Sequence, residues 1–138
     1  MKTVTPLILF LCFGPLLLAQ QGNAALQNFR FYENLALRDA QYEQTLHTVD
    51  LQDEQDYWKD QRNYERQLGT ENFAAYLVYM KGKKEAYQLH LQQCSEACSH
   101  SGRFFERAHE YLSISDTEYL RQLMETEMVL NTPKKRNP

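Results

Sequence analysis

Proline is missing from nearly the whole chain: none occurs from Leu16 to Thr132. Glycine is almost as scarce, with Gly69, Gly82 and Gly102 the only ones between Asn23 and Thr132. Proline breaks helix interiors and glycine weakens them, so long helices meet few interruptions here. β-Branched residues are also few. Beyond Ala24 there is one isoleucine, Ile114, and there are three valines, Val49, Val78 and Val129. A sheet protein uses far more of them. Gln, Glu, Leu, Arg, Lys and Ala take their place, and these favour helix. Together the absences exclude a β fold and predict an all-α protein.

Other absences bear on function. The chain has no excess of positive charge: 15 Lys and Arg face 18 Asp and Glu, a net charge of −3. That balance gives no electrostatic footprint for nucleic acid. It gives little attraction to an anionic membrane either. There is no glycine-rich phosphate loop, no Gly-x-Ser-x-Gly and no His-Glu-x-x-His. Glu106-Arg107-Ala108-His109 has the Glu-x-x-His step of di-iron bundles, but no second copy accompanies it. On a charged helix it reads as chance, and no enzymatic activity is expected.

A long apolar segment is present only at the start. Lys2 precedes Leu7-Ile8-Leu9-Phe10-Leu11-Cys12-Phe13, and Gly14-Pro15 interrupts the run before Leu16-Leu17-Leu18. The small-residue site Gly22-Asn23-Ala24 follows. Charge, apolar run and small-x-small site form the layout of a secretory signal peptide, with cleavage after Ala24 or, less suitably, after Ala19. A membrane anchor needs roughly 20 apolar residues, more than this broken run supplies. The expected organisation is a signal peptide over residues 1–24, a single all-helical domain over 25–131, and a solvated basic tail over 132–138 carrying Lys134-Lys135-Arg136. The protein is expected to be exported to a periplasm or the extracellular space, with no stable membrane span.

Four or five helices follow from the periodicity. The first is expected from about Ala25 to His47, with Phe31, Leu35, Tyr42, Leu46 and Val49 on one face. Asp50 or Asp53 would cap a very polar second helix, closed by Gly69 as C-cap, with Thr70 capping the next. The third carries the stripe Phe73, Leu77, Met80, Tyr87, Leu91, Cys94 and Cys98, interrupted by Lys84. Beside Lys84 stands Gly82, where this helix would kink or split. A fourth helix carries Phe104, Phe105, Ala108, Tyr111 and Leu112. Ser115-Asp116-Thr117-Glu118 reads as a capping box that opens a fifth. Short connections favour a small antiparallel bundle or stacked helical hairpins. With so few aliphatic residues, homo-oligomerisation is an open alternative.

Two constellations remain as candidate sites. All nine tyrosines lie beyond Ala24, and Tyr57, Trp58, Tyr64, Tyr76 and Tyr79 cluster in the middle third. Tyrosine and tryptophan anchor interfaces, so these five are the expected surface for an unidentified protein or peptide partner. The alternative, that tyrosine fills a wet core with its hydroxyl turned to solvent, uses the same residues. The second constellation is Cys94 and Cys98 with His90 and His100. In an oxidising compartment the cysteines would form a disulfide. On an intact helix residues four apart have Cβ atoms about 5–6 Å from each other, whereas a disulfide needs about 3.8 Å. The helix must therefore end or turn between them. As thiolates, the two cysteines with His90 and His100 form a donor set for copper or zinc. The favoured reading is an exported interaction module. A metal-binding protein is the alternative.

Overall fold

A computed structural model describes residues 14–95 and 98–131, with side chains over 27–95 and 98–126. Five α-helices form among the described residues: α1 Gly14–Glu43, α2 Leu51–Glu71, α3 Phe73–Gln93, α4 Gly102–Ser113 and α5 Asp116–Asn131. A 3₁₀ turn, Leu46–Thr48, joins α1 to α2. There is no strand among the described residues, as the scarcity of β-branched residues implies. The Leu7–Phe13 run and the basic tail lie outside the described residues. Helix α1 is already formed at Gly14, the first described residue, well before the expected start near Ala25. Gly22-Asn23-Ala24 lies within this helix. No helix among the described residues is long and apolar enough to cross a membrane.

Caps set most of the boundaries. Asp50, not Asp53, caps α2 by accepting from the Gln52 N–H at 2.8 Å. Helix α2 then passes straight through Gly69 to Glu71. Gly69 is helical, and no glycine among the described residues has positive φ, so the expected Gly69 C-cap and Thr70 N-cap are corrected. Both duties fall to Asn72. Its N–H closes α2 on the Leu68 carbonyl at 2.8 Å, and its side chain accepts from the Ala75 N–H at 3.1 Å to open α3. Ser101 caps α4 and Ser115 caps α5, each through a bond of 3.1 Å to the N–H three residues on. The Glu118 carboxylate accepts from Arg121 and Gln122 instead.

Helix α3 is the hub and packs against α1, α2, α4 and α5. It buries Leu77, Tyr79, Met80, Lys83 and Tyr87 on more than one side, as expected of an element surrounded by others. It runs unbroken through Gly82, which corrects the expected kink. The glycine serves packing instead. A Cβ on Gly82 would lie 2.8 Å from the Ala36 Cβ, so α1 and α3 cross at a distance only small residues allow. Phe73, expected in the core, is 42% exposed. The pairs Gly69–Tyr76 and Tyr64–Tyr79 step in opposite directions along α2 and α3, making them an antiparallel hairpin. Lys83–Tyr111 and Tyr87–Phe104 do the same for α3 and α4.

The core is polar at its centre. Glu43, on α1, accepts from Lys83, from the Tyr87 hydroxyl at 2.6 Å and from the Tyr57 hydroxyl at 3.1 Å. Glu65, on α2, accepts from Arg107, from the Tyr111 hydroxyl at 2.5 Å and from the Gln61 amide at 3.0 Å. Gln61 also donates to the Tyr79 hydroxyl at 2.6 Å, which donates in turn to Asp39 at 2.7 Å. Tyr79, Tyr87 and Tyr111 thus turn their hydroxyls inward to carboxylates rather than out to solvent. Buried polar groups need such partners, and here four helices share them.

Candidate functional site

Two of the five residues of the expected aromatic surface lie in the core. Trp58 and Tyr79 are both 0% exposed, and Tyr57, Tyr64 and Tyr76 are half-buried. The Trp58 indole donates to Glu54 at 3.1 Å. The Tyr57 and Tyr79 hydroxyls serve the carboxylates of Glu43 and Asp39. The reason is compositional. With few aliphatic side chains available, the aromatic rings supply the buried volume, and the polar ends of Tyr57, Trp58 and Tyr79 are satisfied inside.

The second constellation does come together. Helix α3 ends at Gln93, so Cys94 is its C-cap, in extended backbone, and its N–H bonds to the His90 carbonyl at 2.8 Å. The chain then turns, with the Cys98 N–H donating to the Ser95 carbonyl at 2.9 Å. This is the helix end that a bridge between residues four apart requires. The Cys94 and Cys98 Cα atoms stand 5.6 Å apart, with their sulfurs at disulfide distance. His90 lies one helical turn before Cys94, and its Nε2 is 2.8 Å from Nε2 of His100. The Cys94 sulfur is 3.6 Å from the same His100 nitrogen. One donor atom from each of His90, Cys94, Cys98 and His100 falls within 4.8 Å of the others.

His100 is the best-fixed member. Its ring stacks on Phe104 with centroids 4.0 Å apart and planes at 17°. Phe104 stacks in turn on the core residue Tyr87 at 5.0 Å. The next residue, Ser101, caps α4 and also donates to Glu54 on α2. The loop bearing His100 is therefore pinned between α2 and α4. The Nδ1 atom of His100 is buried without a hydrogen-bond partner. Burial, and then the proximity of His90 and of His47, hold the His100 ring below its usual pKa, so it is neutral near pH 7 and its lone pair is available.

His47 completes the surroundings, and the sequence held no signal for it. It sits on the 3₁₀ turn, far from the others along the chain, with its ring edge-on to His100 at 5.8 Å between centroids. Its Nδ1 lies 3.1 Å from the Gln44 carbonyl oxygen. The fourth histidine, His109, is exposed on α4. In the Glu106–His109 step, the neighbouring Arg107 serves the core salt bridge to Glu65, while Glu106 and His109 both face solvent.

One other surface stands out. A shallow groove between α1, α3 and α5 is lined by Leu37, Leu89 and Leu120, all exposed, with Val78 and Leu123 behind them. Comparison with protein-family models, with curated proteins and with solved structures finds no match to the chain.

Proposed function

We propose that this protein binds a metal ion, Zn²⁺ or Cu⁺, at His90, Cys94, Cys98 and His100 when the two cysteines are reduced. One observation carries the reading. Four donors of the right chemistry, drawn from the end of α3 and from the loop before α4, converge within 4.8 Å. Two thiolates and two imidazoles are the donors of four-coordinate zinc sites, and thiolate also favours Cu⁺. The arrangement needs little rearrangement, because Phe104 already fixes His100 and the last turn of α3 fixes His90. The protein- or peptide-binding reading keeps only the half-buried Tyr57, Tyr64 and Tyr76 of its aromatic set. Metal handling is a binding function and calls for no catalytic group.

The test is metal content of the full chain, purified anaerobically with its thiols reduced and offered one equivalent of Zn²⁺ or Cu⁺. One ion per chain by native mass spectrometry is expected, abolished by Cys94→Ser and strongly weakened by His90→Ala. Reduced, folded protein that retains neither ion would refute the proposal.

A further inference from the structure

With Cys94 and Cys98 joined, neither sulfur is a thiolate, the form in which cysteine binds metal. The imidazoles are untouched by that bond. His90 and His100 still present Nε2 to each other at 2.8 Å. We infer that His47 joins them, so that in the disulfide form the protein holds a divalent ion, Zn²⁺ or Cu²⁺, on three imidazoles. This rests on the metal-binding reading and extends it to a second donor set.

The tautomer of His47 favours it. A carbonyl oxygen only accepts, so at 3.1 Å from the Gln44 carbonyl the His47 Nδ1 must carry the ring hydrogen. The lone pair is then on Nε2. A second nitrogen held by a backbone carbonyl is the usual way an imidazole ligand is oriented. Spacing agrees as well. A Zn–N bond of about 2.0–2.1 Å places each ring centroid about 3.2 Å from the ion, and tetrahedral angles then separate the centroids by about 5 Å. Around His100 the two spacings are 4.9 Å to His90 and 5.8 Å to His47. The same geometry sets neighbouring donor nitrogens about 3.3 Å apart, so the His90 and His100 nitrogens at 2.8 Å need open by only a fraction of an ångström.

The donor change would match the chemistry of the two states. Thiolates suit Cu⁺ and Zn²⁺, whereas imidazoles suit Zn²⁺ and Cu²⁺. If the chain is exported into an oxidising compartment, the three-imidazole set is the one available there. His47 is exposed, so replacing it leaves the core intact.

The experiment uses the full chain with the disulfide closed and free thiols shown to be absent, titrated with Zn²⁺ against a chromophoric chelator. One ion per chain is expected. His47→Gln should weaken Zn²⁺ binding by at least about tenfold in the disulfide form but by less than about threefold in the dithiol form. His109→Gln should alter neither, and the circular dichroism of both variants should match the parent. Zinc bound by the dithiol form but not by the disulfide form would overturn this inference and leave the Cys–His site standing. Undiminished affinity of His47→Gln in the disulfide form would overturn it too. Absence of binding in both forms would remove the metal-binding reading together with it.

Discussion

Replacing Lys83 by methionine tests whether the polar centre of the core is as structural as its geometry implies. The ammonium is 0% exposed, pairs with Glu43 and lies 4.9 Å from the Tyr111 ring centroid and 5.5 Å from that of Tyr87. Removing one partner of a buried pair strands the other, at a cost of about 3–5 kcal/mol. Lys83→Met should fall in that range. Glu43→Gln should cost somewhat less, because the surrounding rings still receive the cation and a desolvated cation–π contact is worth about 2 kcal/mol. The double variant Glu43→Leu with Lys83→Met need not gain stability as some buried pairs do on apolar replacement, because Tyr57 and Tyr87 then lose their acceptor. The pH dependence supplies a second, independent number. Burial lowers the Lys83 pKa below its ordinary 10.5, against the pull of Glu43. Between the folded value and 10.5 the unfolded chain holds a proton the folded chain has shed, so stability rises with pH there, by up to about 1.4 kcal/mol per unit. Glu43→Gln removes the strongest force keeping that ammonium charged and moves the window down. Its stability should therefore begin to climb at a lower pH than the parent's. Burial raises the Glu43 pKa, which acts in the opposite sense: that stabilisation is lost as pH rises from the unfolded value through the folded one, and the variant lacks it. Urea denaturation followed by the single tryptophan, the buried Trp58, reads both effects. A loss under about 1 kcal/mol in Lys83→Met, or a flat pH profile in Glu43→Gln, would refute the reasoning.

Two further outcomes follow from packing. Trp58→Ala removes a fully buried ring and its hydrogen bond to Glu54, so it should cost about 3–5 kcal/mol in thermal or urea unfolding. A folded, fully stable variant would mean the indole is not in the core. Gly82→Ala should destabilise by about 1–2 kcal/mol, because overpacking at the α1–α3 crossing outweighs the roughly 1 kcal/mol gain in helix propensity. Pairing it with Ala36→Gly should restore most of the loss, and a stabilised Gly82→Ala single variant would contradict the close crossing.

The helical class and the starts of α2 and α5 were legible because they depend on local chemistry. Proline-free stretches and Asp50 and Ser115 as caps act within a few residues of where they stand. Gly69 and Gly82 were misread because a glycine in a helix looks the same in sequence whether it ends the helix or admits a neighbour. Only the position of Ala36 on α1 decides between those roles at Gly82. The tyrosines misled for a related reason. Their amphipathic rings suit an interface or a polar core equally well, and the carboxylates that draw them inward, Glu43 and Glu65, lie on other helices. Lys83 gave no warning, since a lone lysine in a charged helix is ordinarily solvated. The His–Cys cluster was legible in part. His90, Cys94 and Cys98 share a helical spacing and His100 follows closely, but His47 reaches them only through the turn after α1.

The polar core and the His–Cys cluster are both built from partnered charges and rings, yet they answer to different constraints. Glu43, Lys83, Glu65 and Arg107 are buried and paired across α1 to α4, so any change there is felt as lost stability. The cluster lies past the end of α3, where His90, Cys94 and His100 are only half-buried and the backbone is set by a turn rather than by a packed helix. It touches the core at two places, the Phe104 stack and the Glu54–Ser101 hydrogen bond. Those contacts hold His100 in position without tying its ring nitrogens into the core network. A site arranged this way can exchange a disulfide for thiolates, or one donor set for another, while the helices beneath it keep their places. Changes at His47, His90 or the cysteines should then alter ligand binding with little loss of fold, whereas changes at Phe104 or Glu54 should alter both.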